Sequence, residues 1–221
     1  MPGHVVAVGG GTAWEDPRLA ALVLSLAPRA RPRVCYLGTA GGDAAEHLVR
    51  FYRRFAALDC RPADLTFFER TVADLEAFVA EQDVFWVGGG STANLLAVWR
   101  THGLDRLLGR AHQRGAVLAG VSAGMNCWFE ASTTDSFGPE LAPLHDGLGL
   151  LEGSACPHYD GEPQRRPLYL RLVADGVLPP GYAADDGAAA HFHDGAVTPH
   201  ELAPGARVYR VTAEGETPLA A

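Results

Sequence analysis

Gly120-Val121-Ser122-Ala123-Gly124 is the stretch of this chain whose residue types and spacing best suit covalent chemistry. It follows the apolar run 116–119 and precedes a segment able to form a helix, so it reads as strand, tight turn, helix, the setting of a nucleophile elbow. Small flanking residues let the turn hold a side chain in a strained conformation, with the hydroxyl at the start of the following helix. The same pattern also suits a glycine-rich turn in which Ser122 only caps a helix. A serine hydroxyl is a poor nucleophile at neutral pH and needs an imidazole base, which in turn needs a carboxylate to orient it. Nine histidines compete for the first role. His4, His47, His102, His112, His145 and His200 fall at element ends or on helix faces. His158 follows Cys156-Pro157 at the end of a short strand, within the polar cluster His158-Tyr159-Asp160-Gly161-Glu162, and is the preferred base. For the carboxylate, Asp135 in Ser132-Thr133-Thr134-Asp135 is the first choice, with Asp160 and Glu162 as rivals.

The elements that must position these groups alternate. Strand patterns at 4–8, 33–37, 64–68 and 83–87 are interleaved with helical spacing at 16–26, 43–58, 72–80, 92–100 and 104–114. Continuous apolar strands between helices predict an α/β fold of three αβα layers: a mostly parallel central sheet with helices on both faces. Functional sites in such sheets lie at the carboxyl ends of the strands. Gly9-Gly10-Gly11, Gly38-Thr39, Gly88-Gly89-Gly90 and Ser122 all fall there, which predicts one shared cleft. Beyond residue 137 the spacing predicts an irregular loop, a strand near 154–156 and a helix over 167–174. Short strands at 188–192, 196–197 and 208–211 then suggest an antiparallel edge on the same sheet. No linker or repeat divides residues 1–221, so one domain is expected.

Composition limits the partners. The chain has 221 residues, 48% of them hydrophobic, and 18 basic against 26 acidic side chains, a formal charge of −8 without a basic block. That argues against nucleic acid or an anionic membrane and for a small peptide or other small molecule. No leader-like or membrane-spanning run is seen, and four scattered cysteines give neither a disulfide framework nor a zinc knuckle, so a reduced cytoplasmic protein, monomer or homodimer, is expected. No cofactor is expected: Gly88-x-Gly90-x-x-Ala93 fits a loose dinucleotide fingerprint, but it follows the fourth strand and lacks the acidic residue at the required offset. No metal is expected either. His158-x-Asp160-x-Glu162 and His191-x-His193 could each share a strand face, but Gly161 and Pro163 interrupt the first. Cys127 reads as a buried helix residue, and Trp14 and Trp128, which follow glycine turns, as possible cleft walls.

Taken together and in order, Val87-Gly88-Gly89-Gly90-Ser91-Thr92, Gly120-Val121-Ser122-Ala123-Gly124, Thr133-Thr134-Asp135 and Pro157-His158 resemble the peptidase E (aspartyl dipeptidase) and cyanophycinase family of serine peptidases. The resemblance implies a fold like that of class I glutamine amidotransferases, with serine at the elbow. It implies Ser122 as nucleophile, His158 as base, Asp135 as third member, and an oxyanion hole from the Gly88-Gly89-Gly90 turn, chiefly Gly89 and Gly90, and from Ala123. Some relatives use Glu as the third member, which keeps Glu162 in view. The chain departs from the dipeptidases at Val121, where they carry an aromatic residue, and at Thr134, where they carry Asn. Their preference for an N-terminal aspartate implies a cation in the pocket, for which Arg165 and Arg166, beside Glu162, are the candidates. The function expected is hydrolysis of small peptides, dipeptides or peptides with an N-terminal acidic residue. An esterase or a non-catalytic relative is the alternative.

Overall fold

The computed structural model describes residues 3–220. The chain runs β1 (Val5–Val8), α1 (Pro17–Ser25), β2 (Arg33–Leu37), α2 (Ala45–Phe55), β3 (Arg61–Asp64), α3 (Leu75–Ala80), β4 (Val84–Val87), α4 (Thr92–His102), α5 (Leu104–Gln113), β5 (Val117–Val121) and α6 (Ala123–Asn126). It continues through β6 (Phe129–Thr134), β7 (Ala142–Leu144), β8 (Leu151–Cys156), α7 (Arg165–Ala174), β9 (Gly181–Ala184), β10 (Ala188–His193), β11 (Ala196–Glu201), β12 (Val208–Thr212) and β13 (Gly215–Pro218). Local chemistry sets several of the boundaries. Asp16 caps α1 by accepting from the Arg18 amide, with Pro17 at the first helical position, and Asp74 and Ser91 accept from the Ala77 and Asn94 amides at the starts of α3 and α4. The third strand ends where 64–68 was expected to begin, because Leu65 onward turns away to bring the Phe67 and Phe68 amides onto the Asp43 carboxylate.

Seven strands form the main sheet in the order β11-β10-β1-β5-β4-β2-β3. From β1 to β3 every pairing is parallel, whereas β10 and β11 add an antiparallel edge. Side chains alternate between its faces as strand geometry requires. Val6, Val8, Tyr36 and Trp86 meet Val23 of α1 and Phe51 and Phe55 of α2, while Val5, Ala7, Leu37 and Val87 meet Leu96, Trp99 and Leu108 of α4 and α5.

The C-terminal half differs from the single antiparallel edge that its spacing suggests. A second sheet, β13-β12-β9-β8-β6-β7, carries the strand at Val208–Thr212, which pairs with β9 and β13 and not with the main sheet. Phe129 and Ala155 of this sheet join the core shared with α4 and α5, and its far side packs Ala131, Cys156 and Ala183 against Tyr169 and Val173 of α7. Short alternating strands state which side chains are buried, but not which sheet receives them.

Register explains the cleft. Val8 pairs with Val121, and Val87 with Gly120, so β1, β4 and β5 end level and their following turns converge. Because β10 is antiparallel to β1, with Val8 opposite Ala189, the turn before β10 reaches the same end. Among the described residues no helix is long and apolar enough to cross a membrane.

Candidate active site

Ser122 stands between β5 and α6 with φ 58° and ψ −111°. For a residue with a Cβ this region costs about 1–3 kcal/mol and persists only where its surroundings impose it. They do so here: the Ser122 amide donates to the Val8 carbonyl, and the Met125 and Asn126 amides donate to the Ser122 carbonyl. Gly120 and Gly124 let the turn close, since a Cβ on Gly120 would lie 2.2 Å from the Gly124 oxygen and one on Gly124 2.7 Å from the Val87 oxygen. The helix that follows is a single turn.

His158, beyond the end of β8, also has a positive φ, 53°, a region in which histidine is enriched. Its amide donates to the Gly9 carbonyl and the neighbouring Tyr159 amide donates to Ala184, so this loop is hung between β1 and β9. The ring is bonded at both nitrogens. Nε2 lies 2.9 Å from the Ser122 hydroxyl and Nδ1 lies 2.7 Å from Oδ1 of Asp186. An ionised carboxylate only accepts, so Nδ1 carries the proton and Nε2 is left to accept from the serine hydroxyl. Asp186 is fixed in turn: its amide donates to the Asp160 carboxylate at 2.7 Å, and its backbone bridges to Gly10. A Cβ on Gly10 would lie 2.1 Å from His158 Cε1 and 2.4 Å from Asp186 Oδ1, which explains glycine at that position.

The carboxylate beside His158 is therefore Asp186, in place of Asp135. Asp135 lies just past β6 of the second sheet, with its side chain 59% exposed and 4.0 Å from Arg165. The rivals are engaged elsewhere, Asp160 on the Asp186 amide and Glu162 in a 2.8 Å ion pair with Arg165. The two arginines are likewise committed. Arg165 is buried, and Arg166 bonds Glu216 while its guanidinium lies over the Tyr159 and Tyr209 rings, 5.2 and 5.1 Å from their centroids. None of these side chains lines the cleft that Ser122 and His158 share.

That cleft, of about 360 Å³, is walled by the turns at Gly10-Gly11 and Gly88-Gly89-Gly90 and by Trp14, Tyr36, His47 and Arg50. Burial and the nearby Asp43 push the Tyr36 hydroxyl up to about 12, so it stays a neutral donor. Gly89 approaches Ser122 closely: a Cβ there would lie 3.3 Å from Ser122 Cβ. The Gly88 amide donates to Leu37 and the Ser91 amide to Ala40. The Gly89 and Gly90 amides lie between them, and the Ala123 amide belongs to the first turn of a helix, where donors lack an intrahelical acceptor. Cys127 is fully buried, and burial pushes its thiol well above the ordinary range, so it is not a competing nucleophile. Trp128 is buried too, leaving Trp14 as the tryptophan of the cleft.

Asp186 carries a sequence signal of its own, further along the chain than Asp135, Asp160 and Glu162. Ala183-Ala184-Asp185-Asp186-Gly187-Ala188 is an acidic turn between two apolar runs, and the order of triad members along a chain is not fixed. Its neighbour Asp185 is diverted to the Arg207 amide, at 2.9 Å.

The sequence model of peptidase family S51 matches residues 5–199. The chain is 47% identical over 212 residues to the uncharacterized peptidase YgaJ of Bacillus subtilis (strain 168), covering 94% of this chain and 91% of that protein. It is 38% identical over 90 residues to peptidase E of Citrobacter koseri, 40% of this chain and 39% of that one. Among solved structures, a peptidase from an acI-B1 Actinobacterium superposes with a TM-score of 0.73 at 19% identity, covering 100% of this chain and 95% of that one. A Listeria monocytogenes EGD-e protein assigned as peptidase E gives 0.69 at 16% identity, covering 92% and 100%. At these identities the structures show likeness of fold.

Proposed function

Given that this chain belongs to peptidase family S51 and is a serine peptidase, we propose that it hydrolyses short peptides through an acyl-enzyme on Ser122, with His158 as base and Asp186 as the orienting carboxylate. The observation that carries this reading is the continuous relay Ser122–His158–Asp186, with spacings of 2.9 and 2.7 Å. As Ser122 attacks the scissile carbonyl, His158 Nε2 takes its proton, and the Asp186 carboxylate stabilises the imidazolium formed. The developing oxyanion falls to the Gly89 and Ala123 amides, with Gly90 beside them; each such donor is worth about 3 kcal/mol of barrier because it is oriented before the charge appears. The imidazolium then protonates the leaving amine, and water repeats the cycle to release the acid.

For substrate choice, Arg165 and Arg166 give way to Arg50 as the cation facing the cleft, with His47 beside it. We assign Arg50 to an acidic group of the substrate, the N-terminal acidic residue being the form that the resemblance to aspartyl dipeptidases suggests. The test is digestion of a mixed peptide library, with products read by mass spectrometry. The native protein should release fragments, favouring acidic residues at the cleaved end, and Ser122→Ala should release none. Equal cleavage by the variant would refute the assignment of the nucleophile.

A further inference from the structure

We infer that the cleft extends into an arginine-lined shelf that binds carboxylates of an acidic peptide beyond the residues flanking the scissile bond. The inference rests on the peptidase reading of the cleft. A second hollow, of about 370 Å³, shares Trp14 and Arg50 with the cleft and adds Glu15, Arg53 and Arg54. Positions 50, 53 and 54 of α2 stand at i, i+3 and i+4, so the three guanidinium groups issue from one helix face and repel one another.

Asp16 and Glu15 attract Arg54 through space, but among the described residues no carboxylate pairs directly with the cluster. Among the described residues none of the three arginines lies within ion-pair distance of a carboxylate. Glu46, four residues before Arg50 on the same helix, is outside ion-pair distance of it among the described residues, and Asp16 is held by Arg18 at 2.7 Å. Arg54 spends one amino group on the Glu15 carbonyl, while its Nε is buried without a partner among the described residues. The helix dipole favours cations in the last turn and accounts for Arg53 and Arg54 as residue types. It does not account for Arg50 a turn earlier, nor for all three lining hollows around one tryptophan in a chain of net charge −8.

Planar guanidinium groups match carboxylates two bonds at a time, and the Trp14 ring offers a flat wall for the peptide between them. The occupant with several carboxylates spaced along a flexible backbone is a run of acidic residues. Free phosphate or a single carboxylate would fill one arginine and leave the others unpaired.

The Ser122→Ala protein, which keeps the shelf, is titrated with triglutamate and with Glu-Ala-Ala, which shares the N-terminal acid assigned to Arg50. Binding is read by calorimetry and by Trp14 fluorescence, since the other three tryptophans are buried. Triglutamate should bind at least about tenfold tighter than Glu-Ala-Ala at low salt, since charge-assisted hydrogen bonds exceed neutral ones by about that factor. The preference should fall to about twofold or less in Arg53→Gln/Arg54→Gln and in about 0.5 M salt, where exposed charges are screened. Arg53→Gln alone, at an exposed position, should lose part of the preference with no change in melting temperature. Equal affinity for the two peptides, absence of triglutamate binding, or a preference that survives in the double variant would overturn the shelf. Failure of the peptidase reading would show separately, as a library that the native protein leaves uncleaved.

Discussion

At the scale of single residues, the site depends on small differences in placement. His158 can act as a base only if its Nδ1 proton stays on the side of Asp186, and the 2.7 Å contact holds it there. Asp186→Asn removes the charge and can present the wrong donor to the ring, so peptide hydrolysis should fall by about 10⁴-fold. Asp135→Asn, which alters an exposed carboxylate 4.0 Å from Arg165, should stay within about threefold of native activity, as surface ion pairs contribute at most about 1 kcal/mol. Steady-state kinetics on any peptide the native protein cleaves would distinguish the two. Gly10→Ala is the complementary case. Its methyl would collide with both His158 and Asp186, so the protein should fold while kcat drops by about 10²-fold or more, as ångström-scale displacement of catalytic groups does.

At the scale of elements, β1, β4 and β5 bring the glycine turns and Ser122 together by ending level. The elbow, the glycine turns and the helices were legible in the sequence because each rests on a local signal: small residues about Ser122 and apolar periods of two or 3.6. Asp186 was not legible in the same way. It meets His158 only because β10 returns antiparallel beside β1 while β8 and β9 belong to another sheet, and spacing along a chain does not encode such pairing. The misplaced strand at Val208–Thr212 has the same cause.

The same edge of the main sheet carries a titrating element. His4, ahead of β1, and His191 and His193 of β10 lie on one face, with His200 of β11 next to them. His4 Nδ1 and His191 Nε2 share a hydrogen bond of 2.8 Å, and the His4 and His193 rings stack at 3.8 Å. Burial, helped by the neighbouring imidazoles, lowers His191 to about 4, and burial also lowers His4 and His200. Asp194, 3.4 Å from His193, is the carboxylate at this cluster, and His112 approaches from α5. In the window between about 4 and the ordinary imidazole value of about 6.5, the unfolded chain binds more protons than the folded one. Stability is therefore full above that window and is lost as pH falls through it. Melting temperature should hold between pH 7 and 8 and decline from about pH 6.5 towards 4, and His191→Gln should flatten that slope.

At the scale of the whole molecule, one apolar cluster runs from β1 and β4 through α4 and α5 to Phe129, Ala155 and Val208 of the second sheet. Neither sheet completes its core alone, so urea unfolding should give one transition, with fluorescence and far-ultraviolet circular dichroism coinciding. Separate midpoints would mean that the sheets are independent units. The continuity matters for the site, because Ser122 and Asp186 border strands of the main sheet while His158 leaves the second.

The proposed activation of Ser122 through His158 by Asp186 sets the rate at which a serine-directed phosphonate labels the intact protein, read by mass. Native protein and Asp135→Asn should be labelled at rates within about threefold of each other, Ser122→Ala should not be labelled, and Asp186→Asn should be slower by about 10³-fold or more. Rapid labelling of Asp186→Asn together with slow labelling of Asp135→Asn would contradict the assignment and return the third role to Asp135.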